Sequence, residues 1–96
     1  MAYLINLKTF SDSRGNLTVI EDTELPFKIK RVFYIYGVDN SVRGGHRHKT
    51  TIQALVALQG SCEIYNNDNN TEKRFALNHP SQCLILEPQD WHNMYN

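Results

Sequence analysis

Residues 43–60 read RGGHRHKTTIQALVALQG, and this stretch decides how the rest of the chain is read. In an extended strand successive side chains alternate between faces. His46 and His48 therefore project to one side and Arg47 to the other, with the imidazoles about 6–7 Å apart along the chain. Gly44 and Gly45 let the backbone turn sharply before the pair, and Gly60 turns it again after the apolar run that follows. The stretch predicts His46 to Thr50 and Ile52 to Gln59 as extended segments flanking a short bend. Two neighbouring imidazoles on one strand face can bind a metal or move protons near neutral pH.

Working outward, the composition fits a sheet protein. Val, Ile and Thr together number eighteen against four Ala, and ten Asn punctuate the chain. β-Branched residues suit a pleated surface and Asn suits turns. Strands are expected at Tyr3 to Thr9, Leu17 to Glu21, Lys30 to Val38, Ser61 to Tyr65, Lys73 to Leu77, Gln82 to Leu86 and from Trp91 onward, in addition to the two above. Lys30 to Val38 has the clearest alternation, with Val32, Tyr34 and Tyr36 on one face and Arg31, Phe33 and Ile35 on the other. The stretch NNDNN at 66–70 reads as a loop tip. Eight or nine short strands with no amphipathic helix predict an all-β sandwich or closed barrel.

The 96 residues (11.1 kDa) make one small domain, too short for a nucleotide-binding half joined to a separate substrate half. Ten Lys plus Arg balance ten Asp plus Glu. No excess of positive charge supports nucleic acid or an anionic membrane as partner, so a small molecule or another protein is expected. The longest apolar run is Ala54 to Leu58, well short of a membrane span. The opening residues lack the pattern of a signal peptide, and a cytoplasmic location is expected. Cys62 and Cys83 match no zinc spacing and are expected as reduced, half-buried thiols.

The pattern His46-x-His48, Gln53, Gly60, followed far along the chain by Pro88, His92 and Asn96, resembles the two motifs of the cupin superfamily, small jelly-roll β-barrels. The family's first motif carries Glu where Gln53 stands. A carboxamide is neutral and binds first-row metals poorly, which weighs against a metal. Three imidazoles can nevertheless hold zinc, so a metal-dependent cupin using His46, His48 and His92, an epimerase or oxygenase, is the alternative.

Longer blocks sharpen the resemblance. RVFYIY from Arg31, VRGGHRHK from Val42, LQGSCEI from Leu58 and P-x-x-W-H-N-M from Pro88 are similar to the sugar nucleotide 3,4-ketoisomerases, the WxcM-like or FdtA-type cupins. That resemblance implies a cupin-type jelly-roll barrel and an isomerase acting on dTDP-4-keto-6-deoxyglucose in deoxysugar and lipopolysaccharide biosynthesis. It implies no metal and no redox cofactor. His46 and His48 are the implied catalytic pair, with the base left open between them. Arg43, Tyr34, Tyr36, Gln53 and His92 are the implied substrate-binding residues. Arg14, in S-D-S-R-G-N, resembles a turn of related 3,5-epimerases that holds nucleotide phosphates. Further strands after the W-H block complete the barrel in that family, so residues 1–96 are expected to be a single cupin domain lacking its last C-terminal strands. The resemblance also implies a homodimer with exchange of the N-terminal strand, and Tyr3 to Thr9 fits because it has no nearby hairpin mate. A non-catalytic sugar-nucleotide-binding cupin is the remaining alternative.

Overall fold

The computed structural model describes residues 2–39, 41–46, 50–88 and 90–95, His46 by its backbone alone. Nine strands run through the described residues: β1 (Tyr3–Asn6), β2 (Thr9–Asp12), β3 (Gly15–Thr18), β4 (Arg43–His46), β5 (Gln53–Leu55), β6 (Cys62–Asn67), β7 (Glu72–Leu77), β8 (Gln82–Leu86) and β9 (Trp91–Tyr95). The only helical piece among them is a 3-10 turn at Asp22–Glu24. All ladders are antiparallel and form a three-stranded sheet β1-β8-β5, a four-stranded sheet β4-β9-β6-β7 and the separate hairpin β2-β3. The all-β class expected from composition is the class observed.

β8 organises the core. Its sequence QCLIL is apolar after the first residue instead of alternating, as suits a strand covered on both faces. On one face Leu84 and Leu86 pack with Ile64 and Leu77, joined by Leu55, Phe75 and Met94, so the two larger sheets close over one another there. On the opposite face Cys83 and Ile85 pack with Leu7 and Leu25, with Phe27 and Ile29 alongside. The 3-10 turn fastens this cover, since Asp22 Oδ1 accepts the backbone N–H of Ile29 at 3.1 Å. Each of these Leu and Ile side chains contributes about 1.5–3 kcal/mol by leaving water. Cys62 and Cys83 are free thiols as expected, but Cys83 is fully buried, and burial pushes both thiols up.

Two sequence expectations are corrected. Lys30 to Val38 is not a strand, and Val32, Phe33, Tyr34 and Tyr36 are exposed. Alternation marks a segment able to pair, but a strand also needs a neighbour for its backbone N–H and C=O groups, and none lies beside it among the described residues. The N-terminal segment divides into β1 and β2, and β1 does have a mate. It pairs with β8 of its own chain in the register Tyr3↔Ile85 and Ile5↔Cys83, a partner too distant in sequence to be a hairpin.

Candidate active site

Cross-strand register places three polar residues in one row. Asn66 of β6 stands opposite His92 of β9, and His92 stands opposite His46 of β4. Asn66 and His92 lie on the inner face of the four-stranded sheet, because Ile64 and Met94, the next register pair on that face, belong to the core. His92 is 5 % exposed and Asn66 is 1 % exposed, whereas Tyr65 and Asn93, between the inward positions, are half-buried on the outer face. The opposite sheet supplies Gln53. It pairs with Leu86 and shares a face with Leu55 and Leu84, which point into the same intersheet core. His92, Asn66 and Gln53 thus converge on the interior, and His46 takes its register position in the same row.

A β-bulge sets that row. Gly44 pairs with Asn93 and His46 pairs with His92, leaving Gly45 as the extra residue. Without the bulge, strict alternation would put Gly45 opposite His92 and take His46 out of register with it. Glycine is required here. Gly44 has φ of 102°, and a Cβ on it would stand 2.7 Å from the carbonyl oxygen of His92. The entry to β9 is shaped by Asp90, which is buried. Its Oδ2 accepts the N–H of Glu87 at 2.8 Å, and its own N–H donates to the Glu87 carbonyl at 2.9 Å. This turn delivers Trp91 outward, edge-on to Tyr65 with centroids 5.9 Å apart, and His92 inward.

The other expected site residues lie further out. Arg43 begins β4 and lines a cleft of about 310 Å³ together with Ile35, Tyr36, Val38, Asp39 and Ser41. Tyr34 and Tyr36 are 74 % and 83 % exposed, with rings 6.0 Å apart, so both are presented to solvent and not held in the interior. Arg14 is bound to Asp12, whose Oδ2 accepts from Nη2 at 2.6 Å and whose Oδ1 accepts the Arg14 backbone N–H at 2.8 Å. That guanidinium holds the Asp12 carboxyl below the usual carboxylate range. Both side chains are solvent-facing, which keeps the energetic weight of the pair small. His48 and Asn96 lie outside the described residues. Among the described residues no group of three His, Cys, Asp or Glu side chains is placed to hold a metal ion, and no helix is long and apolar enough to cross a membrane.

The comparison with protein families decides the identity. The model of the FdtA family, described as WxcM-like, C-terminal, matches residues 2–96. The chain belongs to this family. Among curated relatives of the WxcM-like chain is the TDP-4-oxo-6-deoxy-alpha-D-glucose-3,4-oxoisomerase of Aneurinibacillus thermoaerophilus, 41% identical over 95 residues that cover 97% of this chain and 68% of that protein. Among solved structures it is similar to the sugar 3,4-ketoisomerase of Thermoanaerobacterium thermosaccharolyticum in complex with TDP. The TM-score is 0.93 at 42% identity, covering 98% of this chain and 70% of that one. The TDP-quinovose 3,4-ketoisomerase of Campylobacter jejuni matches with a TM-score of 0.93 at 39% identity, covering 99% and 75%. The resemblance expected from the sequence blocks is thereby borne out, as is the cupin-like fold.

Two buried polar residues of this WxcM-like chain escaped the sequence reading. The stretch NNDNN reads as a loop tip from Asn66, but β6 continues through Asn67. The signal was present in the period-two series Cys62, Ile64, Asn66, in which the third member keeps the inward phase despite its polarity. Asp90 carries no periodic signal, since its role is to close a turn.

Proposed function

We propose that this chain is a 3,4-ketoisomerase of a dTDP-linked 4-keto-6-deoxyhexose that works by imidazole-mediated proton transfer through an enediol. The observation that carries this reading is the match, over nearly the whole chain, to a TDP-bound sugar 3,4-ketoisomerase at 42% identity and a TM-score of 0.93. The inward-facing His92, Asn66 and Gln53 support it with polar groups suited to a sugar, and His46 takes its backbone register position opposite His92.

The reaction moves a carbonyl between adjacent carbons without net oxidation. A base removes the proton from C3, the electron pair forms the C3–C4 double bond, and the C4 oxygen takes a proton, giving the enediol. The C3 hydroxyl then loses its proton to become the new ketone, and C4 receives a proton. An imidazole titrating near neutral pH can take and return these protons. His46 and His48 are the proposed acid–base pair. His92 and Gln53, buried or half-buried on facing sheets, hold the sugar. A neutral carboxamide at Gln53 donates to or accepts from a hydroxyl without placing negative charge beside the developing enediolate. Arg43 supplies a planar fork for the diphosphate, at the mouth of the cleft that also contains Tyr36. Tyr34 and Tyr36 offer rings for the base and sugar. Arg14 joins the phosphate site by exchanging Asp12 for the ligand.

The proposal extends to a cytoplasmic enzyme of deoxysugar and lipopolysaccharide assembly, acting as a homodimer. Exchange of the N-terminal strand would preserve the β1-β8 register and make it between chains, since a swapped element keeps its native contacts. The test of the activity is incubation of the purified protein with dTDP-4-keto-6-deoxyglucose in deuterated water, with and without EDTA, followed by proton NMR. The expected result is a 3-keto product deuterated at C4 in both samples. No solvent deuterium at C3 or C4 would overturn the reading, and loss of turnover with EDTA alone would replace it with a metal-dependent mechanism.

A further inference from the structure

The cleft beside β4 holds a charged residue that the proposed chemistry does not use. Among the described residues its charged lining residues are Arg43 and Asp39, and Tyr36 and Ser41 share the same wall. Asp39 is oriented by its own loop, because its Oδ1 accepts the backbone N–H of Ser41 at 2.8 Å. Hydrogen bonds from the Ser41 side chain and backbone hold its carboxyl below the usual carboxylate range, so at neutral pH it is ionised and only accepts. A carboxylate has about four lone-pair sites, enough for a further donor beyond Ser41. An anion in a cleft meant for a diphosphate is a liability unless it meets an uncharged part of the ligand, since like charges repel.

The order of groups along the chain says which part that is. A dTDP-sugar is linear, running from hexose through two phosphates to deoxyribose and thymine. β4 carries Arg43 at its start and His46 at its end. With the hexose at the His46 end and the diphosphate at Arg43, the nucleoside lies on the N-terminal side of β4, where Tyr36, Asp39 and Ser41 stand. The cleft measures about 310 Å³, at the small end of ligand sites, which suits one part of a nucleotide and not the whole. Deoxyribose linked through its 5′ oxygen has one free hydroxyl, at C3′, and a carboxylate is a strong acceptor for it.

We propose that Asp39 is a specificity-determining residue for the nucleoside, its carboxylate accepting a hydrogen bond from the 3′-hydroxyl of the deoxyribose while Arg43 takes the diphosphate. This deepens the ketoisomerase reading and rests on it for the placement of the ligand. The pairing selects a nucleotide whose 3′-hydroxyl is free, because a 3′-phosphate there would meet a like charge.

Calorimetric titration of the whole chain with TDP and with 2′,3′-dideoxythymidine diphosphate, which lacks only that hydroxyl, tests the contact. The wild-type protein is expected to bind the dideoxy compound roughly tenfold more weakly, the scale of a hydrogen bond to a charged group. Asp39→Ala is expected to bind both compounds alike, at about the wild-type affinity for the dideoxy compound. A change that merely disturbed the turn would weaken both and keep their ratio, so an unchanged ratio in Asp39→Ala overturns the proposal. Equal wild-type affinities, or no binding of TDP, overturn it as well. Turnover of dTDP-4-keto-6-deoxyglucose separates the two readings. Isomerisation without discrimination removes Asp39 and leaves the activity, whereas discrimination without isomerisation removes the activity and leaves the nucleoside contact.

Discussion

Gly44 shows how much one residue can set. It combines a left-handed backbone, φ 102°, with a close approach to the neighbouring strand, where a Cβ would stand 2.7 Å from the His92 carbonyl oxygen. Either condition alone favours glycine, and together they tie the local backbone of β4 to that of β9. Replacing Gly44 by alanine is expected to cost about 1–3 kcal/mol from the backbone conformation, with the clash in addition. Urea titration of the Gly44→Ala protein should show a lowered midpoint with an unchanged slope. A midpoint equal to wild type would mean that β4 relaxes freely. Loop residues show a comparable economy at lower cost. Asp68 Oδ1 accepts the N–H groups of Asn70 and Thr71, which hold its carboxyl below the usual range while Asn69 takes a positive φ of 77°.

At the scale of elements, β8 and the segment from Lys30 to Val38 are instructive opposites. β8 has no alternation, yet it is the central strand of its sheet and is buried on both faces. Truncating Leu84 to alanine removes a fully buried side chain between the sheets and is expected to cost about 2–5 kcal/mol. The same change at Leu4, its register partner on the exposed edge strand β1, should cost far less, and chemical denaturation of the two variants compares them. Equal losses would contradict the core placement. β5 through β9 were legible as strands because their apolar phase and turn residues agree. Lys30 to Val38 has the better pattern and no ladder, since periodicity reports what a segment can bury and not what lies beside it. In the site, the glycines and His46 were legible as a motif. Asn66 was missed because its polarity ended the strand one step early, and the bulge was invisible because alternation reasoning assumes that no residue is skipped.

At the scale of the whole molecule, two groups stand out among the exposed apolar side chains of the described residues. Val32, Phe33, Tyr34 and Ile35 stand in the unpaired segment, and Phe10 and Leu17 face solvent as a cross-strand pair on the β2-β3 hairpin. Contiguous apolar surface of this sort marks contact with another macromolecule more often than it marks idle surface. Sedimentation of the protein at micromolar concentration is expected to give a dimer, and Phe33→Asp is expected to shift it toward monomer. A wild-type monomer at that concentration would exclude the homodimer. The pairing of β1 with β8 also bears on how the molecule comes into being. A ribosome releases Tyr3 82 residues before Ile85, so β1 waits for β8, and the loop closure between them is long and slow. During that wait the N-terminal strand presents open hydrogen-bonding edges to whatever β8 forms first, on its own chain or on a neighbouring nascent chain. In the proposed strand-exchanged dimer, the choice between a self-contained subunit and an interlocked pair would be made by timing and local protein concentration during synthesis.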